Sequence, residues 1–333
     1  MIDAVDTKKL SNCMHIALIS DVHGNLPALE AVLRDARERG VEHFLLLGDY
    51  ITDFPYPNEV AELLQSLENA TLIRGNKEER FAWLYATNDA SLYAAQMSAT
   101  RWSLETLTDT NREYLCVLPD NAKFEFGGQR LFATHSSREI CRPLAKLDVM
   151  HSSWYAREME RTSFTHAQYL IKAQQEIFGS SEVSAELAEL PAGVYAFGHN
   201  HLQGHWRIGD VLLVNPGSCG LPLDFDTCAP YTILTVENGK ISVEEHRAQY
   251  DIEAVVEYAK HSAMYAAAPE WCEIHAHIIR TGQDYVGAFL EYANKLSVQR
   301  NAAVEKNAFT PKGVVSDDVW REAWDTWNVR RGW

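Results

Sequence analysis

Five apolar stretches in this sequence each run directly into a side chain able to hold a metal ion: IALIS before Asp21 and His23, FLLLG before Asp49, TLIRG before Asn76, RLFAT before His135, and VYAFG before His199 and His201. Short apolar runs of this kind read as buried strands. In an open α/β sheet the ligand-binding groups gather at the carboxyl ends of the strands, so five such ends predict one shared crevice lined by oxygen and nitrogen donors.

The segments between the runs fit that reading. After the strand at residues 14–20, Asn25 and Pro27 open a helix whose Leu26, Leu29, Val32, Leu33 and Ala36 form one stripe, and Gly40 ends it. A strand at 44–47 follows, then a helix from Pro57 with Val60, Leu63, Leu64 and Leu67 on one side, then a strand at 71–74. The ligand steps of 28 residues from Asp21 to Asp49 and 27 from Asp49 to Asn76 are those of right-handed βαβ crossovers, which set the three side chains next to one another. Residues 77–118 read as helical, and 123–134 as a hairpin turning at Gly127 and Gly128. The stretch from 136 to 190, rich in Ala, Glu, Gln and Leu, is too long for a structureless loop and predicts a helical cap over the crevice. Strands at 194–197, 211–214, 231–236 and 240–246 predict an antiparallel second sheet, and the chain turns helical from about residue 251. There Trp320, Trp324 and Trp327 share one helix face, covering the core or a partner subunit, so a homo-oligomer stays open.

The donor set Asp, His, Asp, Asn, His, His, His contains no thiolate, which suits manganese, iron, zinc or nickel better than a cysteine-rich structural zinc site or an all-oxygen calcium site. Seven donors are too many for one tetrahedral ion. Two ions about 3.5–4 Å apart would use them all, with Asp49 as the natural bridge. Two divalent ions against two carboxylates leave a local charge of about +2. That matters because the chain carries a net charge of −16 and has no long basic run, a balance that speaks against a nucleic-acid groove or a membrane-surface binder. Cys13, Cys116, Cys141, Cys219, Cys228 and Cys272 form no CxxC pair and read as free thiols. With neither a signal peptide nor a stretch long enough to span a membrane, the expected location is cytoplasmic. Cys272, His275 and His277 lack a fourth donor nearby and read as ordinary helix positions.

The strings DVHGN (21–25), GDY (48–50), GNKE (75–78), THS (134–136) and GHNH (198–201), in this order, resemble the calcineurin-like metallophosphoesterases, and NPGSCGLPLDFD (215–226) is similar to a loop of their bacterial and archaeal phosphodiesterase-like subgroup. The resemblance covers roughly residues 14–247. It implies an α/β/β/α two-sheet sandwich, residues 1–247, carrying the cap at 136–190, with a helical C-terminal extension, 248–333, packed on the core. It places Asp21, His23, Asp49 and His201 around one metal and Asp49, Asn76, His135 and His199 around the other, manganese being preferred. A hydroxide bridging the ions would attack phosphorus in line. Asp49, Asn76 and Lys77 are then the expected catalytic residues.

The sequence departs from the family at Lys77, where relatives often carry a histidine that assists the leaving group. An ammonium with an ordinary pKa near 10.4 is a poorer proton donor than imidazole, so good leaving groups such as aryl esters, diesters or anhydrides are favoured. Ser136 and Leu223 are further departures, at positions where relatives commonly have Gly and Arg. Asn25, Arg74, Arg138 and Arg142 lie near the ligands and are candidate substrate contacts, with turn-shaping or ion pairing as the alternative. The expected activity is hydrolysis of a small phosphoester, as a phosphodiesterase or broad phosphatase. A protein Ser/Thr phosphatase or a dinucleoside-polyphosphate hydrolase is the alternative within the class. A non-catalytic metal-binding interaction module is the rival outside it, and the intact donor set weighs against that rival.

Overall fold

The computed structural model describes residues 13–87, 89–148, 165–302, 304–307 and 310–331; residues 1–12 of the expected first domain and 149–164 of the expected cap lie outside the described residues. The first sheet is built on β1 (Cys13–Ile19), β2 (His43–Leu46) and β3 (Ala70–Leu72), paired in parallel through α1 (Leu26–Glu38) and α2 (Pro57–Ser66). Asn25 caps α1 with its side chain on the Ala28 N–H, Pro27 occupies the first turn, and Ala28, Leu29, Val32, Leu33 and Ala36 are buried.

Helices α3 (Asn76–Thr87), α4 (Ser98–Thr106) and α5 (Asp109–Cys116) lead to the hairpin of β4 (Asn121–Phe126) and β5 (Gln129–Thr134). With β6 (Gly193–Ala196), β7 (Gln203–Ile208) and β8 (Val211–Pro216) these make the second sheet, in the order β4-β5-β6-β8-β7. This sheet is mixed rather than antiparallel as expected: β5, β6 and β8 run parallel at its centre, and only β4 and β7 at the edges are antiparallel. The connection between β5 and β6 is long enough for a parallel crossover, which an antiparallel reading overlooks. β7 is absent from the sequence expectation: QGHWRI alternates polar and apolar positions, but only Trp206 and Ile208 are large apolar side chains. The hairpin of β9 (Ala229–Glu237) and β10 (Lys240–Ala248) joins the first sheet instead, beside β1.

The two sheets pack face to face. Ile16, Leu18, Leu45, Leu47 and Ile73 of the first meet Leu131, Ala133, Val194, Ala196, Leu212 and Val214 of the second, while Ala17, Ile19 and Leu46 point the other way under the helices. Strands buried on both faces have no polar side, which is why they appear as unbroken apolar runs.

The cap segment contributes α6 (Ala145–Asp148), α7 (His166–Ala173) and α8 (Ser181–Ala188). Their Leu147, Tyr169, Ala173, Val183 and Leu187 pack against Tyr195, Phe197, Trp206 and Leu213, so the described helices of this segment form the outer layer on the second sheet. The segment reaches the crevice at its start, through Ser136, Arg138 and Glu139.

Among the described residues, what stands over the crevice is the C-terminal extension, comprising α9 (Ile252–His261), α10 (Ala263–Ala267), α11 (Pro269–Thr281), α12 (Tyr285–Gln299), a hairpin of β11 (Val304–Asn307) and β12 (Thr310–Val315), and α13 (Asp317–Arg331). The hairpin is an element the helical expectation missed. Two of the three stripe tryptophans are buried within this chain, and Trp324 is half-buried: Trp320 packs on Phe289 at 4.8 Å and Trp271 at 5.4 Å, and Trp327 on Phe289 at 5.1 Å. The cluster takes in Phe54, Leu221 and Leu223 of the sandwich. Gly282, at φ +68°, ends α11 and lies so close to Phe225 that a Cβ would meet its Cα at 2.6 Å; the Phe225 N–H donates to the Gly282 carbonyl at 3.0 Å. Among the described residues no helix is long and apolar enough to cross a membrane, and Cys116, Cys141, Cys219, Cys228 and Cys272 are free thiols.

Candidate metal centre

Asp21 and His23 follow β1, Asp49 follows β2, Asn76 opens α3 just after β3, His135 follows β5, and His199 and His201 follow β6. Backbone hydrogen bonds lace these strand ends together: Asp21 N–H to Gly48 O (3.0 Å), His23 N–H to Asp49 O (2.9 Å), Gly24 N–H to Tyr50 O (2.8 Å) and Gly198 N–H to His135 O (2.9 Å). Asp21, His23, Asp49, His199 and His201 all have φ between 54° and 69°. A left-handed conformation at a non-glycine residue costs about 1–3 kcal/mol and persists only where the surroundings over-determine it, so five together mark a site held against its local preference. Glycines permit the close approach. A Cβ on Gly198 would collide with Ser20 Oγ and stand 2.7 Å from Asp21 Oδ2.

The predicted residues converge in two groups, Asp21 with His23 and His201, and Asp49 with His135 and His199. In the first group His23 Nε2 faces His201 Nε2 at 3.2 Å, and His201 Nε2 lies 3.4 Å from Asp21 Oδ1. In the second, Asn76 Oδ1 lies 3.1 Å from His135 Nε2 and 2.8 Å from His199 Nδ1, with Asp49 Oδ2 3.5 Å from His135 Nε2. Asp49 joins the second group and not the first at this spacing. The groups adjoin, since the His199 N–H donates to Asp21 Oδ2 at 3.0 Å.

The outer nitrogens set the tautomers. His135 Nδ1 donates to Leu47 O (2.7 Å), His201 Nδ1 to Leu221 O (2.8 Å) and His23 Nδ1 to Asp53 Oδ2 (2.5 Å), so each Nε2 is turned inward. In neutral rings, His23 and His201 would thus oppose two lone pairs at 3.2 Å, beside a buried Asp21 Oδ1 that has no hydrogen-bond partner. Only a cation, whether proton or metal, fits between such groups. Oxygen and imidazole donors with no thiolate suit a divalent first-row ion.

The electrostatics agree. Burial alone would push the His23 imidazole down, but Asp53 and then Asp21 raise it to about 9. Burial likewise opposes, and Asp49 overcomes, the protonation of His135, raised to about 10. Burial would raise the Asp49 and Asp21 carboxyls, yet His135 beside the one and His201 beside the other hold both well below the usual range. Burial and the neighbouring His135 push His199 down to about 4.

Several orienting groups escaped the sequence reading. Asp53 accepts from His23 and Thr52 Oγ1 (2.8 Å), lies 3.5 Å from Lys77 Nζ, and is 3.4 Å from Nε2 of His275, a residue of the extension. Buried Glu78 accepts from the N–H groups of Asp49, Tyr50 and Gly75 at 2.8–2.9 Å, locking two ligand loops. Asn215 Nδ2 donates to Gly198 O (2.9 Å) and Asn200 Oδ1 (2.8 Å), and Ser218 Oγ to Asp21 O (2.8 Å). The strings GNKE and NPGS contain these residues; Asp53 and His275 left no local signal.

Of the remaining candidates, Lys77 lies beside Asp53, and its N–H donates to Asp49 Oδ1 at 2.8 Å. Arg74 pairs with Asp120 (2.5 Å) and Arg138 reaches Asp148 at 3.8 Å, both on a polar recess of about 270 Å³ that includes Asn76 and His135. Arg142 is exposed and lines neither this recess nor the larger cavity of about 410 Å³ that opens onto His23, Asp49, His199 and His201. Asn25 is buried, its amide donating to Gly220 O (3.0 Å) and Tyr250 Oη (3.2 Å) and its oxygen capping α1. It shapes the turn and lines neither space, in keeping with the turn-shaping alternative.

Known proteins carry the same organisation. A calcineurin-like phosphoesterase superfamily domain matches residues 14–239. A protein of Methanocaldococcus jannaschii, itself described as uncharacterized, is 27% identical over 259 residues, spanning 77% of this chain and 94% of that one. Two solved structures share the fold: hypothetical protein PH1004 from Pyrococcus horikoshii, with a TM-score of 0.56, 19% identity and coverage of 78% of this chain and 97% of that one, and a metallophosphoesterase from Sphaerobacter thermophilus, with a TM-score of 0.53, 24% identity and coverage of 81% and 99%. The sequence strings, the paired donor groups and the matched domain agree: the chain belongs to the calcineurin-like phosphoesterase superfamily and is a metal-dependent phosphoester hydrolase.

Proposed function

We propose that the protein hydrolyses small-molecule phosphoesters, diesters or activated monoesters, at a two-ion centre. Asp21, His23 and His201 hold one ion, Asn76, His135 and His199 the other, and Asp49 joins them. Manganese leads among the ions, with iron, zinc and nickel as alternatives. The observation that carries this reading is the inward turn of three Nε2 atoms, fixed by hydrogen bonds to Asp53, Leu47 O and Leu221 O, around two buried carboxylates. Such ions, when bound, supply Lewis acidity to a phosphoryl oxygen and make water acidic enough to deliver hydroxide at neutral pH.

The protein's own residues do the rest. Asp53 anchors the His23 ring and keeps the Lys77 ammonium beside the centre, where it can meet negative charge developing on a leaving oxygen. Arg74 and Arg138 border the polar recess and are available to a phosphoryl oxygen once their carboxylate partners yield. Glu78 fixes the loop that carries Asn76 and Lys77. The test is turnover of p-nitrophenyl phosphate and its bis ester with added manganese, iron, zinc or nickel. Hydrolysis lost on Asp49→Asn is the expected result; no hydrolysis of either ester by metal-loaded protein sinks the reading.

A further inference from the structure

The two spaces that meet at the donor groups differ in chemistry. The recess on the Asn76 and His135 side is polar, with Arg74, Glu79, Asp120 and Arg138 around it. The larger cavity, about 410 Å³, has Lys77 at its margin and a mainly apolar wall of Trp271, Ile278, Val286 and Leu290 from the C-terminal extension with Met97 and Leu223, interrupted by the extension's Asp284 and Asn294. The matched family domain ends at residue 239, so this wall comes from a segment beyond it.

The wall is built to stay in place. The Trp271 indole donates to Gln96 O at 3.0 Å, stacks on His275 at 5.6 Å with 20° between the rings, and packs on Trp320. His275 in turn lies 3.4 Å from Asp53, the residue that orients His23. The apolar surface is therefore fixed in register with the donors, and its volume lies in the range of preformed small-molecule pockets.

From this geometry we propose that the extension is the specificity element of the enzyme, and that the substrate is a phosphoester whose organic group is aromatic or otherwise apolar and enters this cavity; the inference rests on the phosphoesterase reading. A phosphoester has one charged end, suited to the donor groups and the polar recess. A sugar or glycerol in the cavity would find hydroxyl partners only at scattered positions such as Thr100, Asp284 and Asn294, whereas a planar apolar group gains by burial against Ile278, Val286 and Leu290 and by contact with Trp271. The departure at Lys77 agrees: an aryloxide or similar stable anion leaves without needing a proton, and an ammonium close by is sufficient.

The experiment compares benzylphosphonate with methylphosphonate, neither of them hydrolysable, by calorimetry on manganese-loaded full-length protein, alongside p-nitrophenyl phosphate turnover. The wild type is expected to bind benzylphosphonate at least about tenfold more tightly. Leu290→Glu and, as a milder change at another half-buried position, Val286→Thr are expected to weaken benzylphosphonate far more than methylphosphonate. Equal affinities in the wild type, or a preference untouched by both substitutions, overturn the inference. Turnover of p-nitrophenyl phosphate without the binding preference leaves the phosphoesterase reading standing and removes this one. The preference without turnover removes the phosphoesterase reading and, with it, the assignment of the bound group as a substrate.

Discussion

Metal loading of this protein should release protons far above the pH at which histidine ordinarily titrates. In the metal-free protein His23 and His135 hold a proton on the inward nitrogen up to about pH 9 and about pH 10, because Asp53 and Asp49 outweigh burial. An ion taking those nitrogens must displace one proton at each. Asp21, Asp49 and His199 add none in this window, since the carboxyls are held low and His199 is held near 4. Affinity at each site should therefore climb about tenfold, or about 1.4 kcal/mol, per pH unit from neutrality toward pH 9, a total of about hundredfold over two units. With ordinary imidazoles of pKa near 6.5 it would level off above about pH 7. The sign is consistent with stability. Raised histidine pKa values stabilise the metal-free fold most below the unfolded value near 6.5, and that contribution fades as pH rises through 9 and 10. The gain in Tm on adding manganese should accordingly grow with pH. Calorimetric titrations in buffers of different ionisation heat count the protons directly. About two released per protein near neutral pH is the expectation, and affinity that is flat above neutrality, with no proton released, refutes the reasoning.

Substitutions at two positions probe the site independently. Gly198→Ala drives a methyl into Ser20 Oγ and toward Asp21 Oδ2, so a loss of about 1–3 kcal/mol in denaturant melts should accompany weaker metal binding; unchanged Tm and affinity would mean that the close approach is relaxed in solution. For Lys77, Ala should lower kcat on poor leaving groups by about tenfold to a hundredfold while sparing p-nitrophenyl esters, and His should restore it, as read from kcat against leaving-group pKa; equal slopes for all three proteins would deny the lysine a catalytic role.

The site was legible in the sequence to the extent that its information is local. A donor placed at the end of a buried strand is visible as an apolar run that stops, and the first three strands, α1 and its Asn25 cap followed from periodicity and capping chemistry alone. Pairings between distant segments were not legible. Nothing near residue 275 indicates that an imidazole on α11 meets Asp53, and the zinc-like look of Cys272, His275 and His277 pointed nowhere. The β9–β10 hairpin has the same alternation whichever sheet receives it, so its place beside β1 and the parallel centre of the second sheet depended on packing. The described helices of the segment expected to cap the crevice pack on the outer face of the second sheet, because their Tyr169, Val183 and Leu187 find an apolar partner in Tyr195, Phe197 and Trp206 there.

The central claim, that seven side chains from five strand ends hold two ions, is tested most directly by anomalous scattering from crystals grown with manganese. Two peaks are expected, one within coordinating distance of Asp21, His23 and His201, the other of Asn76, His135 and His199, with Asp49 reaching both. A single peak, or peaks that leave either group of ligands empty, would contradict it.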